Sequence, residues 1–367
     1  PMASGETAAQ AVSLGIDGGS GTDMIDNFDS LAAYAHAGAT ADSFSLDIQA
    51  GDAGIAFGIG LADGSTVASA LANGITGGSG IDYLTNSGHL DTQAHANVTT
   101  TSITIGLSGV AEGLAAAGGL ALADSNARAD SVGIEGGTHD AAQGVTGDTI
   151  DNTGVVESRA EATGTSNSVR VTATYAGTCV VVGVSLADAD TKAGALAEGI
   201  RTGAGEVTIT SEGDERAVDA TAIATANSNS VAVTVTGTPE GMSLAASAAR
   251  ATTEAIATTD GVTTGAGNDT VTNRAGLVSD ATANANATSV SVTAQIAPFS
   301  LGAALAEAGA LADASAVGIG GGEGMDGIYN YDLIDVDAAA TTDVDTVTLN
   351  FSLAGAALAD VSSRAFT

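Results

Sequence analysis

Bulky side chains are scarce in this sequence. Its 367 residues include no tryptophan, 5 tyrosines and 6 phenylalanines. The mass of 35.1 kDa spread over 367 residues is about 96 Da per residue. Large aliphatic and aromatic side chains fill ordinary globular cores, and there are too few here to build several. Basic residues are also scarce: 9 Lys and Arg face 43 Asp and Glu, a formal net charge of -34. Such a polyanion repels nucleic acid and anionic membranes, so neither is expected as a partner. The single cysteine, Cys179, excludes an internal disulfide framework and a cysteine-based metal cluster. Three prolines and a mean hydropathy of +0.26 argue against a disordered acidic chain. No 18-residue apolar run free of glycine and charge is present, so membrane insertion is not expected. Pro1-Met2-Ala3-Ser4 has neither the basic nor the apolar part of an export signal.

The sequence is rich in small residues and in repetition. The dipeptide Gly-Ile, once Gly-Val, recurs at Gly15, Gly74, Gly133, Gly199, Gly261 and Gly318, at intervals of 59, 59, 66, 62 and 57 residues. The residues downstream of the dipeptide are also alike: GIDGGSGTDMIDN, GITGGSGIDYLTN, GVTTGAGNDTVTN and GIGGGEGMDGIYN in the first, second, fifth and sixth copies. The third copy carries about seven extra residues and recovers register at Thr146–Asn152. The expected repeats are 15–73, 74–132, 133–198, 199–260, 261–317 and 318–367, with 1–14 resembling the tail of a preceding repeat. One elongated domain of residues 1–367 is expected.

Within each repeat, small residues alternate with β-branched ones, as in Asp219–Gly237 and Ser279–Ile296. Period-two alternation with Val, Ile and Thr predicts strands. The Ala-rich ends, such as Ser300–Val317, suit a short helix by propensity, but their A-x-A-x-A spacing favours a strand. About five short strands per repeat are predicted, each closed by Gly, Asn, Asp or Ser. One such repeat cannot bury a core alone; stacked copies can. The fold class expected is therefore all-β, a repetitive parallel β-solenoid with uncapped ends. A 59-residue repeat is either two or three ordinary coils or one unusually wide coil. Recurrent Asn27, Asn86, Asn152, Asn273 and Asn330 predict a stacked amide ladder at a corner. A string of independent sandwich modules is the weaker architecture, because such modules need about 100 residues each.

Gly18-Gly19-Ser20-Gly21-Thr22-Asp23-Met24-Ile25-Asp26 reads G-G-x-G-x-D-x-U-x, where U is a large apolar residue. So do the nine residues that begin at Gly77 and at Gly321. The fifth copy, from Thr264, lacks one glycine, the third keeps Gly147-Asp148-Thr149-Ile150, and the fourth has Val207 in place of the acid with Glu206 beside it. In these motifs the sequence resembles the RTX, or haemolysin-type, calcium-binding repeat family. The resemblance implies Ca²⁺ held by Asp23, Asp82, Asp148, Asp269 and Asp326 with the turns at Gly19, Gly21, Gly78, Gly80, Gly322 and Gly324. The chemistry is coherent, because Ca²⁺ takes six to eight hard oxygens and glycine turns expose carbonyls. The departure from the family is spacing: one motif per 59 residues in place of tandem nines. Each half-site therefore needs a partner turn from an adjacent coil. The plainer reading is a tight corner in which Asp caps backbone N–H groups.

Other chemistry is thinly represented. His36, His89, His95 and His139 form no HExxH or paired-ligand spacing and read as solvent-facing. No nucleophile elbow and no phosphate loop occur. No aromatic residue lies between Tyr175 and Phe299, so a polysaccharide-active cleft lacks its platforms. An enzyme is not expected. The expected function is a secreted, calcium-stabilised structural protein that stacks head-to-tail on itself into an extracellular filament or surface fibre. The uncapped ends carry this expectation, since a heterologous contact that does not close makes a filament. The alternatives are a segment of a large RTX-like adhesin or an ice-binding solenoid, for which the Val-Thr-Ala-Thr and Val-Thr-Val-Thr runs at 171–174 and 233–236 speak, and less readily a polysaccharide-active β-helix.

Overall fold

A computed structural model describes residues 1–137, 146–213, 217–352 and 354–366. Its regular structure is strand throughout, and its sheets are parallel. The third repeat's seven extra residues and His139 fall in 138–145, outside the described residues. The Ala-rich ends are strands, as their alternation predicts: Ser300–Val317 lies within β14 (Phe299–Gly320). Burial alternates residue by residue along it, which a helix would not do.

The number of strands differs from the expectation of five short ones. Two long strands and one short strand serve each repeat. The fifth repeat, for example, comprises β12 (Thr270–Arg274), β13 (Leu277–Ile296) and β14. The fourth comprises β9 (Glu206–Glu212), β10 (Val218–Gly237) and β11 (Glu240–Thr263). In the third, β6 (Thr146–Asn152) is followed by β7 (Val155–Ala176) and β8 (Thr178–Arg201). In the first two repeats the long pair is continuous, as β3 (Ser30–Thr76) after β2 (Met24–Asn27) and β5 (His89–Glu135) after β4 (Tyr83–Asn86). The remaining strands are β1 (Met2–Asp17), β15 (Gly327–Asn330), β16 (Ile334–Phe351) and β17 (Ala354–Phe366). The Ser, Asn and Gly residues that looked like strand ends do not end strands. They occupy inward positions that need a small side chain, or outward positions where Asn stacks on Asn.

Pairing follows the sequence repeat. Met2 pairs with Leu61, Ser30 with His89, Leu90 with Val156, Val218 with Leu277 and Leu277 with Ile334. The first half of β5 pairs with β7 and its second half with β8. The chain thus runs out along one face, turns at a tip near Gly51–Gly54, and returns along the other face. The two faces form one 11-stranded sheet, and a second, six-stranded sheet of the short strands, in the order β15-β12-β9-β6-β4-β2, closes the other end. A 20-residue strand such as β10 is about 65 Å long at ~3.3 Å per residue.

Three kinds of interior lie between the two faces. Beside the short strands, a corner core stacks Ile75, Leu84 and Leu90 on Ile134, Ile150 and Val156, and so on along the sheet. This core explains the recurring Gly-Ile. The Ile enters the corner, and the Gly before it makes room for the next long strand. A Cβ at Gly133 would lie 2.3 Å from Val156 Cγ1 and 2.5 Å from the Gly199 carbonyl. Further along, the interior is almost all alanine, as at Ala96, Ala129, Ala162, Ala224 and Ala285. Toward the tip it turns to Ser and Thr on one face opposite Gly, Ala and Ser on the other. Hydroxyls there donate across the gap to backbone carbonyls: Ser168 to Ala121 (2.7 Å), Ser230 to Ala187 (2.8 Å), Ser289 to Ala249 (2.7 Å). A serine long enough to reach the opposite backbone means faces closer than the usual ~10 Å sheet spacing. Most buried hydroxyls there find a partner, which makes their burial tolerable, and Thr174 Oγ1 is an exception.

The largest fully buried side chain among the described residues breaks the rule of smallness. Arg170 is fully buried, and its Nη2 donates to the Gly118 carbonyl at 2.5 Å. Gly106 and Gly119 leave it space; a Cβ at Gly119 would lie 2.1 Å from the guanidinium carbon. Burial pulls its pKa down to about 10, and Asp47 works in the opposite sense.

Candidate metal centre

The glycine–aspartate motifs lie in one column at the corner between each returning long strand and the next short strand. The glycine conformations require glycine: φ is +86° and +123° at Gly19 and Gly21, +99° and +131° at Gly78 and Gly80, and +74° and +144° at Gly322 and Gly324. Their stacking requires it again. A Cβ at Gly78 would lie 2.0 Å from the Gly19 carbonyl oxygen, and one at Gly80 would lie 1.7 Å from that of Gly21. Backbone bonds tie the turns together, with Ser79 N–H donating to Gly19 O (2.9 Å) and Gly21 N–H to Ser79 O (2.8 Å). These carbonyls each keep a second lone pair.

The aspartates stack as well. Asp23 N–H donates to Asp82 Oδ1 (2.9 Å), Asp82 N–H to Asp148 Oδ1 (3.0 Å), and Asp269 N–H to Asp326 Oδ1 (3.0 Å). In the fourth repeat Val207 takes the aspartate's place. It packs into the apolar corner, and its N–H donates to Asp269 Oδ1 (2.9 Å). The five carboxylates therefore form two groups: Asp23, Asp82 and Asp148, then Asp269 and Asp326. One oxygen of each carboxylate from Asp82 onward caps a backbone N–H, as the plainer corner reading requires. That N–H belongs to the neighbouring repeat, so the carboxylates of adjacent repeats are drawn together.

This is an electrostatically costly arrangement. Asp82, Asp148 and Asp269 are buried, and Asp23 and Asp326 are half-buried. The Oδ2 atoms of Asp23 and Asp269 are buried without a hydrogen-bond partner. Burial raises the Asp269 pKa, the Val207 N–H and Thr264 oppose this, and the charges of Asp326 and Glu206 raise it further. Stacked carboxylates, orphaned carboxylate oxygens and carbonyl-rich turns fit a hard cation. Adjoining turns that could share a cation are present where the first repeat's turn meets the second's (Ser20 with Ser79) and the fifth's meets the sixth's (Ala266 with Glu323), while the fourth repeat lacks the acid.

The amide ladder forms beside this column. Asn27 Nδ2 donates to Asn86 Oδ1, Asn86 to Asn152 and Asn273 to Asn330, each at 2.8 Å. Ser211 replaces Asn in the fourth repeat and accepts from Asn152 at 3.5 Å.

A second cluster was not legible from spacing alone. On the outer face of β5 and β7, ligand atoms of His89, Asp91 and Glu157 lie within 4.8 Å of one another. Asp91 pairs with Glu157 across the strands, and the Tyr34 hydroxyl donates to Asp91 Oδ2 at 2.5 Å. The rings of His36 and His95 lie beside it, tilted 48° to one another with centroids 6.1 Å apart. His36, His89 and His95 face outward as expected. Only after the 66-residue offset between β5 and β7 is known does His89-x-Asp91 align with Glu157. The chain matches no protein-family model, no curated protein and no solved structure.

Proposed function

We propose that this chain is a β-solenoid of six repeats, each a single wide coil, that serves as a calcium-rigidified structural element of an extracellular fibre or surface layer. The observation that carries this reading is the in-register column of glycine turns and aspartates. Asp23, Asp82, Asp148, Asp269 and Asp326 would hold the cations with turn carbonyls, and the ions would offset repulsion that the fold itself creates. Calcium modules of millimolar affinity suit the extracellular medium. The flat strand edges at either end of the stack carry N–H and C=O groups on which another copy, or more of the same pattern, would pair. The chain is its own partner in this reading, and the adhesin reading uses the same stack as a spacer within a longer protein. Electron microscopy with calcium and with a chelator tests it. Filaments that shorten or vanish in chelator are expected; discrete monomers in both conditions would contradict it.

One observation favours the ice-binding alternative. Outward Thr and Asn residues form flat columns midway along one face, such as Thr99, Thr165, Asn227 and Asn286, with Asn286 donating to Asn227 at 2.9 Å. Thermal hysteresis of the purified protein decides it.

A further inference from the structure

The outer face of β3, β5, β7, β10, β13 and β16 changes character along its length. Near the corner it carries Asp91, Glu157, Asp219 and Asp335. Midway it carries the Thr and Asn columns. Toward the tip it becomes wholly apolar. Three adjacent columns run across all six strands, from Phe44 to Val347, from Leu46 to Leu349 and from Ile48 to Phe351. Every position in them is Phe, Ile, Leu, Val or Ala. Ile48 is 63% exposed, Phe44 56% and Phe351 60%. Three columns about 6.6 Å apart across six strands about 4.8 Å apart cover roughly 600 Å². That is at the upper end of the ~300–600 Å² of the largest apolar patch on a typical soluble monomer, and patches of that size are often functional.

We propose that a second copy of this chain covers this face, sheet against sheet, in an isologous dimer. Size is one argument. With the adjoining row of Tyr175 and Ile296, the patch approaches the ~800 Å² per partner of a stable complex. Shape is the second. A groove of about 450 Å³ lies over Gly109 and Gly237, between Leu107, Tyr175, Val235 and Ile296. Tyr175 and Ile296 stand proud of it at 55% and 76% exposure. A two-fold axis through the patch sets the projections of each copy against the hollows of the other. Charge does not favour the pairing, because Asp42 and Asp345 lie in the column beside Phe44 and Val347, about 6.6 Å away, so apolar burial and shape carry it. Strand faces meeting at about 10 Å are the ordinary geometry of a sandwich.

The pairing does not rest on the fibre reading. Edge-to-edge stacking gives a mass that keeps rising with concentration, whereas face pairing stops at two copies. The test is light scattering with chromatography on three proteins in chelator: wild type, Val171→Glu with Val233→Glu, and Thr225→Glu. Val171 and Val233 are neighbours at the patch centre, and Thr225 lies outside it on the same face. The expected result is a dimer for wild type and Thr225→Glu and a folded monomer for the double variant. A wild-type monomer at the highest soluble concentration overturns the proposal, as does a folded double variant that remains dimeric. If the charged variant fails to fold, Val171→Thr with Val233→Thr replaces it. Its dimer should dissociate at least about tenfold more readily, since each hydroxyl replaces a buried methyl; unchanged dissociation overturns the proposal.

Discussion

Gly80 shows how strictly single positions are determined. Its φ of +131° lies where side chains are rarely tolerated, and a Cβ there would sit 1.7 Å from the Gly21 carbonyl oxygen. Gly80→Ala is expected to cost about 3 kcal/mol, read as a lower midpoint in denaturant. Gly118, which has open space around the site of a Cβ, should tolerate alanine with a far smaller loss. The motif glycines and the asparagine ladder were legible because the same residue recurs at the same offset. The buried Arg170 was not, since it occurs in one repeat only. Its neighbours Gly106 and Gly119 look like any other glycines until the faces are brought together.

The long strands explain why a chain poor in bulk folds at all. Alanine inside lets the faces close until serine hydroxyls reach the opposite backbone. The interior then has no room to spare. Ala224 is fully buried in the alanine zone, and Ala224→Leu should destabilise by about 3 kcal/mol, the upper end of the usual overpacking cost. Thermal melting followed by circular dichroism measures it. A loss well under 1 kcal/mol would mean that the faces can separate easily. Strand identity was legible from period-two alternation, even in the Ala-rich stretches that also suit a helix. Strand length was not. A Ser-Asn-Ser sequence ends a strand in an ordinary sheet, but within this thin interior it continues one, with Ser228 and Ser230 inward and Asn229 outward on Asn167.

Across the molecule the net charge of -34 is concentrated by the stacking. Asp124, Asp188, Glu198, Asp260 and Asp269 all have raised pKa values, with burial as the leading cause in each. A carboxyl that titrates higher in the folded than in the unfolded chain binds its proton more tightly when folded. Its stabilising contribution is complete below the ordinary carboxylate pKa of about 4 and is lost as pH rises through the raised values. In chelator, the protein should therefore melt higher near pH 4 than at pH 7, the reverse of common acid denaturation. The repeat and its glycine corners were legible at this scale. The width of the coil was not, because a 59-residue repeat fits one long circuit or several short ones, and only strand pairing decides between them.

Calcium at the aspartate column is tested most directly by the melting temperature at neutral pH of wild type and Asp269→Asn, each in calcium, in magnesium and in chelator. Asparagine keeps an oxygen for the Val207 N–H and removes the charge. Calcium should raise the wild-type melting temperature while magnesium, which sheds its waters reluctantly, leaves it near the chelator value. Asp269→Asn should melt above wild type in chelator and gain less from calcium. A wild-type melting temperature that is the same in calcium and in chelator would contradict the account.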